Sequence, residues 1–199
     1  MSQAILSLLL SSILCIAAST AMSASVNKRS SSIEYIKSSC NATRYPSLCF
    51  QSLKVYANKI QPNNNQQLAQ AALSVSLSKA RSAAAYVSKM TKTKGLKAKE
   101  YQAMKDCVDN MGDSVDRLSK SIKEMGQSTG QSDFSWHMSN VQTWVSAALT
   151  DDNTCVDGFS GNGMDGNVKT AIKSRVIIVA QLTSNALALI NRYASMHQA

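Results

Sequence analysis

Apolar residues recur in steps of three and four through most of the second half of the chain. Tyr101, Met104, Val108, Met111, Val115, Leu118, Ile122 and Met125 form an unbroken series, which predicts one amphipathic helix of about seven turns. Leu73, Leu77, Ala80, Ala84 and Val87 precede it in the same rhythm, and Phe134, Met138, Val141, Val145 and Ala148 follow it. A further series, Ile172, Val176, Val179, Thr183, Ala186, Ile190 and Tyr193, is flanked by enough extra Leu, Ile and Val to predict burial on two sides. A strand, with its period of two, cannot produce this spacing. Both prolines, Pro46 and Pro62, fall upstream, so no proline breaks any of these helices.

The breaks are equally readable. Thr93-Lys94-Gly95 separates the first two helices, Gly126 to Ser132 is a polar turn, and Asp151 to Asn167 is expected to be a longer loop containing Gly158, Gly161, Gly163 and Gly166. Short connections make successive helices antiparallel. The expected fold is therefore all-α, an up-down-up-down four-helix bundle over about 66–195. Ser32 to Ser39 and Ser47 to Asn58 predict two shorter helices on either side of Pro46, a hairpin over about 32–60. Pro62 and the tract Asn63 to Gln67 would be the hinge between hairpin and bundle.

The amino terminus has a different character. Ile5 to Ala18 is a short apolar run followed by small residues, with cleavage expected after Ala21, Ser23 or Ala24. Residues 1–24 thus form a signal peptide, and 25–199 a secreted domain. The alternative, a buried N-terminal helix, gives Cys15 no role; removal of the signal turns five cysteines into an even four. In an oxidising compartment Cys40, Cys49, Cys107 and Cys155 are expected to form two disulfides. Four cysteines allow three connectivities. A local Cys40–Cys49 bridge across the Pro46 corner is geometrically easy, and Cys107 and Cys155 would then pair at one end of the bundle.

The net charge of +9 lies entirely outside the signal. Lys79, Arg81, Lys89, Lys92, Lys94, Lys97, Lys99 and Lys105 face only Glu100. In an exported protein such a block meets acidic polysaccharide rather than nucleic acid, or is simply solvated at two helix ends. Neither a metal nor a cofactor is expected: no Cys-x2-Cys pair exists, and the histidines are His137 and His197. Those two also provide no base beside a nucleophile. Asp106, Asp109, Asp113 and Asp116 lie along one side of their helix, read as roughly opposite the apolar stripe. An exposed carboxylate row without a pocket suits a partner surface or a solvated face, not acid/base catalysis.

Particular runs go further. Cys40-Asn-Ala-Thr-Arg-Tyr-Pro-Ser-Leu-Cys49, Asp106-Cys107 on a long helix, Val145-Ser-Ala-Ala-Leu-Thr-Asp-Asp-Asn-Thr-Cys155-Val-Asp-Gly-Phe159 and Ser184-Asn-Ala-Leu-Ala-Leu-Ile190 resemble the plant invertase and pectin methylesterase inhibitor family. The resemblance extends from about Ser32 to about Arg192. It implies a helical hairpin before a four-helix bundle, with first-to-second and third-to-fourth cysteine bridges. The invertase branch carries a Pro-Lys-Phe motif before the last helix, which this sequence lacks. The Ser-Asn-Ala-Leu-Ala-Leu ending is more similar to the pectin methylesterase branch, and a chain stopping at Ala199 implies a free-standing inhibitor rather than an esterase.

The resemblance also implies a 1:1 complex with pectin methylesterase in the apoplast or cell wall, covering its pectin-binding cleft. Inhibition of an invertase and weak contact with acidic pectin through the basic block are the alternatives. The positions matching the family's interface are Asp109, where Glu is commoner in the family, and Thr154 beside Cys155; Asp113 and Asp116 extend the acidic row. Thr154 could equally serve local backbone bonding. Asn41-Ala42-Thr43 is a glycosylation sequon inside the first cysteine loop.

Overall fold

The computed structural model describes residues 27–127, 133–160 and 166–197; the expected signal segment and the residues 161–165 lie outside them. Helix α1 (27–40) and α2 (Pro46–Leu53), extended by a 3-10 turn Lys54–Tyr56, form the hairpin. Helices α3 (Asn65–Met90), α4 (Ala98–Gln127), α5 (Phe134–Gly158) and α6 (Asn167–Ser195) form the bundle, and no strand occurs among the described residues. The helices pack around a square: α3 on α4 and α6, α5 on α4 and α6. Both expected bridges are present, Cys40–Cys49 and Cys107–Cys155.

Local chemistry sets the boundaries. Asn63 turns the chain with φ 62°, a conformation Asn tolerates better than most residues. The Asn64 side chain then accepts from the Gln67 amide at 2.9 Å, while the Gln67 side chain accepts from the Gln61 amide at 2.8 Å. The expected hinge is thus shorter than its sequence suggests, because Asn65, Gln66 and Gln67 already belong to the first turn of α3. At the other end Gly95, at φ 82°, makes the turn into α4. There the carboxylate of Glu100 accepts from the Lys97 amide at 2.9 Å.

One helix end and one helix face differ from expectation. α5 does not stop near Ala148 but runs to Gly158, so Cys155 is inside a helix and not just beyond it. The stripe continues through Asp152 and Cys155, both buried; a charged residue type at a core position is what made the pattern appear to end. In α4 the buried row is Met104, Cys107, Met111, Ser114, Leu118, Ser121 and Met125. Val108, Val115 and Ile122 are only partly buried and Tyr101 is exposed. The line of contact with the core thus alternates large apolar residues with small ones, Cys107, Ser114 and Ser121, and the valines lie on its flank. The α6 stripe is buried throughout.

Ser121 bonds back to the Arg117 carbonyl at 2.9 Å, whereas Ser114 belongs to a network that reaches every helix of the bundle. Ser114 on α4 donates to Asp152 Oδ1 at 2.7 Å, and the Thr183 hydroxyl on α6 lies 3.0 Å from Asp152 Oδ2. Ser76 on α3 meets that same hydroxyl at 2.7 Å. One side chain from each bundle helix is used, and all four are fully buried. Ionised, the carboxyl would have two hydroxyl donors and no cation, since Arg117 pairs with the neighbouring Asp151 at 2.8 Å. Protonated, it can donate to Thr183, whose own proton then goes to the Val179 carbonyl 3.0 Å away. Desolvation prevails over the two hydroxyls and raises the carboxyl from 3.8 to about 7.

The hairpin is attached by a second buried polar contact. Asn185 Nδ2 donates to the Tyr45 carbonyl and Asn185 Oδ1 accepts from the Tyr45 amide, both at 3.0 Å. One side chain of α6 thereby completes both backbone groups of the residue before Pro46. Tyr35 on α1 adds a bond from its hydroxyl to Asn65 Oδ1 at 2.8 Å.

Two outcomes are expected. The native state holds a proton on Asp152 that the unfolded chain releases, so this group's stabilisation is complete below 3.8 and is lost as pH rises to about 7. Asp152→Asn should therefore match wild type near pH 4 and exceed it near pH 8 by roughly 2–4 kcal/mol. Denaturant unfolding at both pH values measures this; parallel pH profiles would show that Asp152 is ionised in the fold. The Cys107–Cys155 bridge spans 48 residues of sequence against 9 for Cys40–Cys49. Its removal by paired Ser substitution should cost about 1 kcal/mol more on loop-closure grounds, read as the lower of two thermal midpoints.

Candidate functional site

Four exposed helix faces and the grooves between them are what the bundle offers a partner. The groove between α3 and α4 has a volume of about 700 Å³ and opens to solvent. Asp109, Asp113 and Asp116 line it, facing Arg81 and Ala84 of α3. Steps of four and three along α4 put these carboxylates on one side of the helix, as expected. They are not opposite the valines, however: Val108 and Val115 share the groove with them. The true core row is turned away from those valines, so the carboxylates border the half-buried apolar edge of α4. Gly112 leaves the middle of the groove open, with no atom within 4 Å of where a Cβ would stand.

Asp106 points elsewhere and accepts from the Gln102 side chain at 2.7 Å. Thr154 is exposed in the last turns of α5, and its hydroxyl donates to the Thr150 carbonyl at 2.8 Å. It continues the row of Ala147 and Thr150, which line the groove with Leu187 and Asn191 of α6. Asp109 and Thr154 are consequently on opposite flanks of the α4–α5 pair, which Cys107–Cys155 joins. The structure gathers the three carboxylates and leaves Thr154 apart. Asn41 is exposed at the hairpin corner, while the hydroxyl of its sequon partner Thr43 is buried and donates to the Cys40 carbonyl at 2.7 Å.

Both histidines are held by neighbouring side chains or rings. His137 lies beside Glu124 at 2.9 Å, and Glu124 also accepts from Asn140 at 2.8 Å. The Asn140 amide first, and His137 second, hold the Glu124 carboxyl below the ordinary range. This cluster fastens the end of α4 to the start of α5. His197 packs between Phe134 and Tyr193, at centroid distances of 4.6 and 4.7 Å. No group of three metal-ligating side chains occurs among the described residues.

The basic block is a single feature only along the sequence. Its residues are all exposed, yet helical geometry divides them. Arg81 turns toward α4 and reaches Ser119 at 3.4 Å, whereas Lys79 lines a separate groove with Arg175 of α6. Lys92, Lys94 and Lys97 lie in the turn between α3 and α4.

Comparison with known proteins places these features. Residues 34–189 match the family described as plant invertase/pectin methylesterase inhibitor. The chain is 53% identical over 176 residues to pectinesterase inhibitor 9 of Arabidopsis thaliana, covering 86% of each protein. It is 45% identical over 192 residues to pectinesterase inhibitor 11 of the same plant, covering 95% of this chain and 94% of that one. Its fold is similar to the crystal structure of a mutant pectin methylesterase inhibitor from Arabidopsis, with a TM-score of 0.61, 21% identity, and coverage of 76% of this chain and 92% of that one. The helical fold is thus a shared one, and the chain is a member of the plant invertase/pectin methylesterase inhibitor family.

Proposed function

We propose that this protein is a secreted inhibitor of pectin methylesterase that acts outside the cell by forming a 1:1 complex over the esterase's pectin-binding cleft. The observation that carries the reading is the near full-length likeness to relatives named pectinesterase inhibitors, at up to 53% identity. The surface chemistry supports it. Open grooves and an acidic row on a rigid helical surface suit a protein that binds another protein. No helix among the described residues is long and apolar enough to cross a membrane.

The proposed contact surface includes Asp109, Asp113 and Asp116 on α4 and Thr154 on α5. The rigid bundle presents these side chains without first ordering a loop, which lowers the entropic cost of association. If the acidic row docks beside carboxylates of the esterase, complex formation raises a pKa and takes up a proton. Affinity then falls as pH rises through that value.

Titration of purified mature protein against a pectin methylesterase and an invertase tests the target: esterase turnover should be abolished near equimolar inhibitor and invertase turnover left intact. The opposite pattern would overturn the reading. Asp109→Asn should flatten the pH dependence of binding without abolishing inhibition. Thr154→Trp should weaken inhibition at least about tenfold at every pH, as obstruction at an interface does. Calorimetry in which both variants give the wild-type constant and the wild-type pH slope would remove these residues from the contact.

A further inference from the structure

Charge is segregated among the helices of the bundle. α3 carries Lys79, Arg81 and Lys89, α6 carries Lys169, Lys173, Arg175 and Arg192, and neither has an Asp or Glu. α5 is the reverse, with Asp151, Asp152 and Asp157 and no Lys or Arg. Because α3 and α6 pack side by side, the cation-only helices share one face. A groove of about 270 Å³ runs between them, lined by Lys79, Ser82, Ser174, Arg175 and Ile178.

One cation of this groove, Arg175, is held in place. Arg175 Nη1 donates to the Ala171 carbonyl at 2.9 Å, and the guanidinium carbon lies 3.8 Å from the centre of the Tyr86 ring. One face of the fork is thus covered by an aromatic ring and one N–H is fixed, which limits the rotamer freedom lost on binding an anion. Among the described residues no carboxylate is within ion-pair distance of Lys79 or Arg175. Beside the charges are the Ser82 and Ser174 hydroxyls and the edge of Ile178, which is 38% exposed. Cations for a carboxylate, hydroxyls for hydroxyls and an aliphatic edge for the C–H face of a ring are the groups a sugar acid requires. The groove lies between a short segment of α3, Lys79 to Ala83, and one of α6, Ser174 to Val179, a footprint that suits a short stretch of a polymer better than the broad surface of a globular protein.

We propose that the α3–α6 groove binds the carboxylates of a polyuronate, namely the de-esterified stretches that a pectin methylesterase leaves in its polymer. The identity of the polymer rests on the function proposed above, while the groove and its charges do not. The site is on a different flank of α3 from the acidic α3–α4 groove, so polymer and esterase need not compete for it. The inhibitor would be retained where de-esterification has already occurred, raising its local concentration around the enzyme that produced the charge.

The test uses folded mature protein and polygalacturonate, with highly methyl-esterified pectin of similar length as the control. Polygalacturonate should retain the wild type in a salt-sensitive manner, and the esterified polymer should not. Lys79→Glu/Arg175→Glu should reduce retention by about tenfold or more, whereas Lys92→Glu/Lys94→Glu, an equal change of net charge in the α3–α4 turn, should change it by less than about threefold. Lys79→Gln/Arg175→Gln set against Lys92→Gln/Lys94→Gln provides the same comparison at equal charge should charge reversal disturb folding. Esterase inhibition by the groove variants should equal that of wild type. Equal losses from both reversals would reveal only a diffuse basic field, and an absence of retention, or groove variants that lose inhibition while keeping polymer binding, would also overturn the proposal. Wild type that binds polygalacturonate but inhibits no esterase would instead contradict the proposed function and leave the groove standing.

Discussion

All four bundle helices converge on one buried carboxyl. Asp152 can occupy the core only if α3, α4 and α6 bring Ser76, Ser114 and Thr183 into register with it. A slip of one helix by a single turn would leave at least one polar group unpaired in an apolar interior, at a cost of roughly 1–3 kcal/mol. Apolar stripes alone tolerate such slips, because one Leu or Val replaces another along them. The node thus specifies which arrangement of a greasy bundle is native, at the expense of a carboxyl that must remain protonated to be comfortable there. Asn185 does the same for the hairpin, fixing it to α6 through both backbone groups of Tyr45.

This division explains what was legible in the sequence. Helices α3 to α6, the hairpin and the cysteine pairing follow from periodicity, turn residues and spacing, and α6 was read correctly at every stripe position. The errors lie where polar residues enter the core. Asp152 ends the apparent stripe of α5 early, and the apolar series of α4 includes the half-buried Val108 and Val115 but not the buried Ser114 and Ser121. Burial of a polar side chain depends on partners contributed by other helices, and a single segment contains no record of them. One signal was nonetheless present: Asp152 and Cys155 continue the three-and-four spacing from Val145 and Ala148. The role of Asn185 was hidden within a recognisable motif, because its partner is 140 residues away.

The same limit applies to surfaces. Asp109, Asp113 and Asp116 belong to one helix, and their common side was therefore visible; that their groove is shared with Arg81, Val108 and Val115 was not. The eight basic residues from Lys79 to Lys105 looked like one patch, yet α3 sends Arg81 to one flank and Lys79 to another. Lys79 acquires its counterpart from Arg175, almost a hundred residues later in the chain. A rigid, register-locked bundle makes these separated flanks usable as independent surfaces. It displays acidic and basic grooves on either side of α3 in a fixed relation, with the Cys107–Cys155 bridge holding α4 to α5 near Asp109 and Thr154.

The central claim is that a neutral Asp152 joins the four helices, and its carboxyl can be observed directly. Carbon-13 NMR of the Asp152 side-chain carboxyl across a pH titration of the folded protein should give a protonated signal at pH 5 and a midpoint near the value of about 7 that burial imposes. A carboxyl that is already ionised at pH 5, titrating in the ordinary aspartate range near 4, would contradict the account.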